Sequence, residues 1–277
     1  MPARARRLIA AGLPAVSAAL IAACGGTPSR TSPTPSTAPT SATSPTPSPT
    51  PVIVGSSRTV LSPLGLRIHS APALGSANVV GNFGQGASFT VLDYQSGGGG
   101  WMKVQGRSTT GWIVADPTLT APGSFNRYAE ASGFSALYPQ AWAFQQESYG
   151  TVFLPQQGMQ SILLETGTTP GSFGPRGLPG YSQSDTGPVQ VCGYTGTLSY
   201  YVKEASYTGA TPTALPVPRL PLYAEIRLTL SKTEAVLIGF NYQNSGQLDV
   251  FGDLYNSLSF PFPLCEAPAA PTSTPSR

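Results

Sequence analysis

Residues 64–119 read LGLRIHSAPALGSANVVGNFGQGASFTVLDYQSGGGGWMKVQGRSTTGWIVADPTL. Short runs with alternating apolar side chains are separated here by glycine-rich turns, and these runs are 66–68, 78–83, 88–94, 101–104 and 111–114. Strands of this length and spacing are typical of a small barrel or sandwich built only of β-strands. The run Gly97 to Gly100 is interpreted as a hairpin tip, because no helix start and no Gly-Lys-Ser/Thr follows it, as a phosphate-binding loop requires.

The order of these segments resembles that of a bacterial SH3 domain. The family opens with Leu-x-Val-Arg-x-x-Pro. It continues through Val-Ile-Gly, Gly-x-x-hydrophobic-x-Val and Trp-x-Lys-Val, and it closes with Gly-Trp-Val. The matching residues in this chain are Leu66-Arg67-Ile68 with Pro72, Val79-Val80-Gly81, Gly86 with Phe89 and Val91, Trp101-Met102-Lys103-Val104, and Gly111-Trp112-Ile113. The resemblance implies an all-β, SH3-like small barrel over residues 55–121.

In the resembled family, aromatic residues line a groove for peptides, including peptides of the cell wall. The resemblance therefore implies a candidate groove at Tyr94, Trp101, Trp112 and Arg67. Arg67 and Ile68 stand in the reverse of the family's order, with His69 after them, which weighs against a groove built around Arg67. The alternative for the tryptophans is that at least one belongs to the barrel core, where a large aromatic ring stabilises by burial.

Residues 122–265 have the pattern of a second, α+β domain, an antiparallel sheet with a C-terminal helix. Residues 134–139 followed by Trp142 indicate a strand and a turn. Further strand-like runs are 151–154, 161–165, 189–202, 223–230 and 235–242. From Gln247 to Leu258 the apolar residues recur at three- and four-residue steps, while Asp249 and Asp253 occupy the other face, which predicts an amphipathic helix. Ser245 or Gly246 is expected to begin it.

This second segment is similar to the PsbP-like α/β/α domains of bacterial lipoproteins. The similarity lies in a Gly-Phe-Ser-x-x-Tyr-Pro-x-x-Trp opening at residues 133–142, a sheet, and a helix that ends in Leu258-Ser259-Phe260. It requires the stretches 169–180 and 211–221 to be loops. The resemblance implies binding or scaffolding and adds no reaction.

The N-terminus has the layout of a bacterial secretory signal. Arg4, Arg6 and Arg7 precede an apolar run over residues 8–23, and this run is shorter than the roughly 20 apolar residues that span a bilayer. The letters Ile-Ala-Ala-Cys at residues 21–24 resemble the lipobox of bacterial lipoproteins. We therefore expect cleavage after residue 23, lipidation of Cys24, and a lipid anchor on the extracytoplasmic face of the cell membrane. The alternative is an ordinary signal peptide with an incidental cysteine.

Charge and composition bear on the partners. Removal of residues 1–23 lowers the count of Lys and Arg from 15 to 12, which equals the count of Asp and Glu at 12. The mature chain is then near neutral, and no basic patch predicts nucleic-acid binding. Residues 24–54, rich in Ser, Thr and Pro, are expected to form an extended disordered linker, and residues 266–277 a disordered tail.

The remaining reactive side chains are few. Once Cys24 is lipidated, Cys192 and Cys265 are left, and outside the cytoplasm such a pair favours a disulfide over a metal site or nucleophile. The one histidine is His69, and no histidine follows Cys192, so neither a zinc site nor a nucleophile with its base is visible. We expect no metal, no cofactor and no catalytic residue.

We interpret the isolated carboxylates as solvated surface residues. A catalytic pair among them would require two to converge across a cleft. The residues considered are Glu147, Glu165, Asp185, Glu204, Glu225 and Glu234.

The sequence thus predicts a membrane-anchored extracytoplasmic lipoprotein that is not an enzyme and binds peptidoglycan, or a peptide or protein partner, through its SH3-like domain. Two alternatives remain open. One is a cryptic cell-wall hydrolase or transferase. The other is an assembly scaffold that acts through the C-terminal domain.

Overall fold

A computed structural model describes residues 51–97, 99–174, 176–206 and 219–261. All of them belong to one compact unit, Ser44–Arg277. The structure consists mostly of antiparallel strands with one short C-terminal helix, which confirms a β-rich α+β fold. The SH3-like barrel over residues 55–121 stays a prediction. The predicted signal segment, Cys24, the linker before residue 51, Cys265 and the tail lie outside the described residues.

The first sheet has seven strands. Their order in the sheet is β3-β2-β6-β5-β4-β1-β7. Their bounds are Ser57–Val60 (β1), Leu66–His69 (β2), Val79–Phe83 (β3), Ser88–Gln95 (β4), Trp101–Gln105 (β5), Thr110–Val114 (β6) and Thr120–Pro122 (β7). Each of the five runs predicted between residues 66 and 114 is a strand, and β1 and β7 are additional.

Alternation along these strands separates a core face from an outer face. Met102 and Val104 of β5 are buried in the core cluster, with Ile68 of β2 and Ile113 of β6. A Cβ atom at Gly111 of β6 would lie 2.5 Å from Ile68 Cγ2, so only glycine allows this approach of β2 and β6. The side chains that alternate with the core residues lie on the opposite face of the sheet.

The second sheet also has seven strands, in the order β10-β11-β12-β16-β15-β14-β13. A separate hairpin, β8 (Phe125–Ala129) and β9 (Ser135–Pro139), precedes it. The strands of the sheet are Trp142–Glu147 (β10), Gly150–Pro155 (β11), Ser161–Thr168 (β12), Tyr181–Val191 (β13), Tyr194–Lys203 (β14), Leu222–Thr229 (β15) and Ala235–Tyr242 (β16).

The predicted run 189–202 is wrong as a single strand. It contains the end of β13 and most of β14, which form a hairpin in which Val191 pairs with Tyr194. The two residues between them, Cys192 and Gly193, have φ values of +48° and +83°, and a positive φ at both central residues is what a type I′ turn requires. Gly193 is a turn signal in this stretch, but Cys192 stands before it in place of the usual Asn, Asp or Gly, so the apolar pattern reads as one continuous strand.

The predicted C-terminal helix is confirmed as α1, Leu248–Asn256. A single 3-10 turn, Ser245–Gln247, leads into it, and the side chain of Asn244 caps this turn by accepting a hydrogen bond from the Gly246 N–H. Phe251 and Leu254 of α1 are buried against Ile226 of β15 and Phe240 of β16 in the larger core. This packing fixes the helix on one face of the second sheet.

Apolar contacts join the first sheet to the hairpin of β8 and β9. Leu61, Ala121 and Leu137 are buried in one small cluster, with Phe125 packed against it. Leu61 and Ala121 belong to the first sheet and its connections, whereas Leu137 lies in β9.

Within the described residues, no helix is long and apolar enough to cross a membrane.

Candidate functional site

The predicted groove residues Trp101 and Trp112 lie on the outer face of the first sheet. In the register of β5 and β6, Trp112 pairs with Lys103, and on its other side it pairs with His69 of β2. Trp112 is half-buried. Trp101 is only 4% exposed, and its ring meets that of His69 edge-on at a centroid distance of 5.3 Å.

His69 is the polar member of this outer-face cluster. Its side chain is 5% exposed, and Nδ1 is buried without a hydrogen-bond partner among the described residues. A buried ring nitrogen normally has a partner, since its desolvation otherwise costs free energy. The name outer patch is used below for His69, Trp101 and Trp112. The rings of His69 and Trp101 are in contact and buried, and Trp112, the register partner of His69, is the half-buried member.

The other two predicted groove residues, Tyr94 and Arg67, are both exposed. A register shift between Val91 and Asp93 in β4 places Tyr94 opposite Met102, and Met102 belongs to the core face. Tyr94 is 41% exposed. Arg67 is exposed on β2, opposite Asn82 of β3. The bulge thus separates Tyr94 from the two tryptophans, and the binding role of all four residues stays a prediction.

A second candidate site is a cleft of about 460 Å³ between the β1/β7 edge of the first sheet and helix α1. Leu248 and Tyr255 of α1 and Tyr200 of β14 contribute apolar surface to its lining. Arg58 of β1 and the carboxyl groups of Asp249 and Asp253 supply its charged groups. Apolar walls with a few convergent polar groups are typical of small-molecule sites, which often lie between packed modules.

Arg58 is held on the first-sheet side of this cleft. Its side chain is 4% exposed. Nη2 donates to the carbonyl oxygen of Thr120 at 2.8 Å, and Nε donates to Thr120 Oγ1 at 3.2 Å. Burial lowers the pKa of the guanidinium, while the charge of Asp253 raises it. These bonds fix the guanidinium on Thr120 at the base of the cleft.

The carboxyl group of Asp253 has a raised pKa. Burial raises its pKa to about 7, the negative charge of Asp249 adds to the increase, and the positive charge of Arg58 opposes it. Burial also raises the pKa of Tyr255, with the hydroxyl of Tyr200 and the charge of Asp253 adding to it. Near neutral pH the carboxyl group of Asp253 is therefore partly protonated.

This cleft was missed by sequence reasoning. The sequence places Asp249 and Asp253 only on the polar face of a helix. It does not predict β1, the strand in which Arg58 lies. The local pattern of α1 marks Asp253 as four residues from Asp249, but nothing in it indicates that the first sheet covers that face. Long-range contact creates the site.

The opposite face of the second sheet carries a buried ion pair. Glu225 is 2% exposed, which corrects its interpretation as a solvated surface residue. Its Oε1 accepts from Arg227 Nε at 2.6 Å, and its Oε2 accepts from the Gly177 N–H at 3.2 Å. Arg227 Nη1 donates to the carbonyl oxygen of Gly174 at 3.0 Å. The pair thus attaches the loop after β12 to the sheet.

No group of three or more His, Cys, Asp or Glu side chains suited to a metal ion occurs in the part of the chain that the structure describes. Cys192 lies in the β13–β14 turn. Cys265 lies outside the described residues, so the pairing of the two cysteines stays a prediction.

No model of a known protein family and no curated protein matches the chain. The chain is similar to cyanobacterial PsbP (CyanoP). The solution structure of CyanoP from Synechocystis sp. PCC 6803 matches with a TM-score of 0.36 and 12% sequence identity, over 50% of this chain and 93% of that chain. Similarity to CyanoP of this degree leaves the PsbP-like interpretation of residues 122–265 as a proposal.

Proposed function

We propose that this chain is a bacterial lipoprotein, anchored through Cys24 to the extracytoplasmic face of the cell membrane, which binds peptides of the cell wall. In this proposal residues 1–23 are a cleaved signal and residues 24–54 a linker. Residues 55–121 form an SH3-like barrel, and residues 122–265 form a PsbP-like domain that supports it. No cofactor and no nucleic acid takes part.

The observation that supports this proposal most directly is the outer patch. The half-buried ring of Trp112 offers a flat apolar surface beside Lys103, and aromatic rings with a polar neighbour are enriched where proteins bind peptides. Lys103 adds a positive charge that suits the free carboxylates of cell-wall peptides.

The test is co-sedimentation with purified peptidoglycan. The protein is the soluble chain, defined as residues 24–277 with Cys24→Ser. Trp112→Ala is expected to abolish sedimentation and Trp112→Phe to retain part of it, because phenylalanine keeps an aromatic surface. Leu74→Ala is the control, since Leu74 is exposed and lies outside the patch. Trp101→Ala is unsuitable, because a buried tryptophan costs about 3–5 kcal/mol of stability when truncated.

Three results decide the proposal. Loss of sedimentation in a folded Trp112→Ala variant supports it. Equal sedimentation of Trp112→Ala and the unchanged chain excludes the outer patch as the binding surface. Failure of the unchanged chain to sediment overturns cell-wall binding and leaves a protein partner as the next candidate.

The proposal assigns no reaction to the chain. A cell-wall hydrolase would need two carboxylates in one cleft, and Asp249 and Asp253 line the same cleft. A zymogram with peptidoglycan in the gel is expected to show no clearing. Clearing that disappears with Asp253→Asn would replace the binding proposal with a hydrolase.

A further inference from the structure

One row of side chains crosses the outer face of the first sheet. In the strand register His69 of β2 pairs with Trp112 of β6, which pairs with Lys103 of β5, which in turn pairs with Asp93 of β4. Residues that pair directly across neighbouring strands lie on the same face, with Cβ atoms about 5 Å apart. The ring of Trp112, the ammonium group of Lys103 and the carboxyl group of Asp93 therefore follow one another on this face.

Both charged groups of this row are accessible. Asp93 is exposed and Lys103 is half-buried, and in the part of the chain that the structure describes no ion pair joins them. Asp93 Oδ1 accepts a hydrogen bond from the Tyr94 N–H at 2.8 Å, which holds the carboxyl group in place. Leu92, which lies within the register shift between Val91 and Asp93, is 40% exposed and adds apolar surface beside the two charges.

We propose, on the basis of the proposed cell-wall function, that this row selects peptides in which one side chain ends in an ammonium and a carboxylate group on the same carbon atom. The carboxylate binds at Lys103, the ammonium group at Asp93, and the methylene chain on the ring of Trp112. Two opposite charges side by side on the sheet match the two charges of such a zwitterion. Removal of the methylene chain from water adds to the affinity.

The selection arises from attraction and repulsion together. A side chain that ends in an ammonium group alone gains the interaction with Asp93 but meets the like charge of Lys103, and a repulsive element of this kind contributes to specificity. Charge pairs at exposed positions contribute little each, so the expected preference for the zwitterionic side chain is about fivefold. Because salt screens such charges, the preference is expected to decrease as the ionic strength rises from about 0.02 M to about 0.5 M.

Titration of the soluble chain with two synthetic tripeptides tests the proposal. Both contain L-alanine and γ-linked D-glutamate, followed in one by meso-diaminopimelate and in the other by L-lysine. Diaminopimelate ends in an ammonium and a carboxylate group, whereas lysine ends in an ammonium group alone. Chemical-shift changes in NMR spectra give both affinities. They are expected at the amides of Trp112, Lys103 and Asp93, with about fivefold tighter binding of the diaminopimelate peptide.

Three variants separate this row from general electrostatic attraction. Lys103→Gln is expected to bind the two peptides with nearly equal affinity, because it removes both the partner of the carboxylate and the repulsion of the ammonium group. Asp93→Asn is expected to weaken the binding of both peptides, since asparagine keeps an acceptor for the Tyr94 N–H and loses only the charge. Arg107→Gln is the matched control, because Arg107 is an exposed cation between β5 and β6 and its loss changes the net charge by the same amount.

A preference that is lost in Lys103→Gln and kept in Arg107→Gln supports the inference. Equal affinity of the unchanged chain for the two peptides, tighter binding of the lysine peptide, or a preference that survives in a folded Lys103→Gln variant overturns it. Equal loss in Arg107→Gln and Lys103→Gln also overturns it, because net charge would then be the cause.

The two proposals fail in distinguishable ways. If the unchanged chain sediments with peptidoglycan but binds neither tripeptide, or binds both equally, the selection is wrong and cell-wall binding stands. If the unchanged chain does not sediment, the proposed function is wrong, and the selection that rests on it is wrong as well.

Discussion

Gln85 and Ser257 are joined by a hydrogen bond of 2.6 Å from Gln85 Nε2 to the carbonyl oxygen of Ser257, across 172 residues of sequence. Gln85 lies between β3 and β4, and Ser257 follows the last residue of α1. The same Nε2 also donates to the carbonyl oxygen of Leu61 at 2.9 Å. One side-chain amide thus joins the first sheet to the end of the helix on the second.

Replacement of Gln85 by alanine is expected to destabilise the whole unit by about 1–3 kcal/mol, because two part-buried carbonyl oxygens lose their donor. The measurement is urea unfolding of the soluble chain. Gln105→Ala is the control, since Gln105 is exposed on β5 and is expected to change stability by less than about 0.5 kcal/mol. Equal stability of the two variants would show that the amide does not couple the sheets.

The first sheet was predictable where glycine-rich turns interrupt the apolar alternation, and so the five strands from residue 66 to residue 114 follow from the sequence. β1 and β7 do not, because their burial depends on each other: Thr59 pairs with Ala121, and β1 begins with three polar residues, Ser57, Arg58 and Thr59. β7 has three residues, too few for a periodic pattern to be visible.

The ion pair between Glu225 and Arg227 provides a second prediction. Glu225→Gln is expected to cost about 3 kcal/mol, because it removes the negative charge that forms the ion pair with Arg227 Nε in a largely buried place. The double variant Glu225→Gln with Arg227→Met is expected to recover part of that loss. Urea unfolding measures both, and Glu147→Gln on exposed β10 is the control.

The same pair has a local readout. Because Glu225 accepts from the Gly177 N–H, hydrogen exchange at that amide is expected to accelerate in Glu225→Gln more than exchange at the amides within β16. Uniform acceleration across both sheets would indicate global destabilisation instead, and the attachment of the loop to the sheet would then be wrong.

The predicted disulfide between Cys192 and Cys265 is the third prediction. Labelling of the oxidised, folded soluble chain with a thiol reagent is expected to modify neither cysteine, and denaturation without a reductant is expected to expose none. Reduction is expected to release two thiols and to lower stability by roughly 4 kcal/mol on the chain-entropy model of loop closure. Labelling of both cysteines before reduction would exclude the bridge.

The candidate sites differ in how much of them the sequence contains. Trp101 and Trp112 were recognised because they lie in strands whose pattern is local. The bulge that turns Tyr94 toward the core face, and the packing of Arg58 near Asp253, depend on contacts between distant segments. Cys192 shows the same limit in a turn, because its positive φ of 48° is unusual for a residue other than glycine.

The fourth prediction concerns Asp253 and the dependence of stability on pH. Its pKa is raised from an ordinary value of 3.8 to about 7 in the folded chain. Between those values the folded state keeps a proton that the unfolded state releases, so the contribution of Asp253 to stability is full below about pH 4. It decreases as the pH rises through 7 and is constant above that.

Asp253→Asn removes this dependence, because asparagine has no proton to lose. The variant is expected to unfold at the same urea concentration as the unchanged chain, or slightly lower, near pH 4. At pH 8 its free energy of unfolding is expected to exceed that of the unchanged chain by a few kcal/mol, since one unit of pKa difference corresponds to about 1.4 kcal/mol. Urea unfolding of both proteins at pH 4, 6 and 8 measures the difference, in which the contributions of all other groups largely cancel.

Asp249→Asn distinguishes the cause of the raised pKa. Burial contributes most to the increase at Asp253, and the charge of Asp249 contributes less, so this variant is expected to move the loss of stability to lower pH without abolishing it. Abolition of the pH dependence by Asp249→Asn would make repulsion between the two carboxylates the main cause. Parallel curves of unfolding free energy against pH for Asp253→Asn and the unchanged chain would contradict the prediction. Asp253 would then ionise in the folded protein as it does in the unfolded chain.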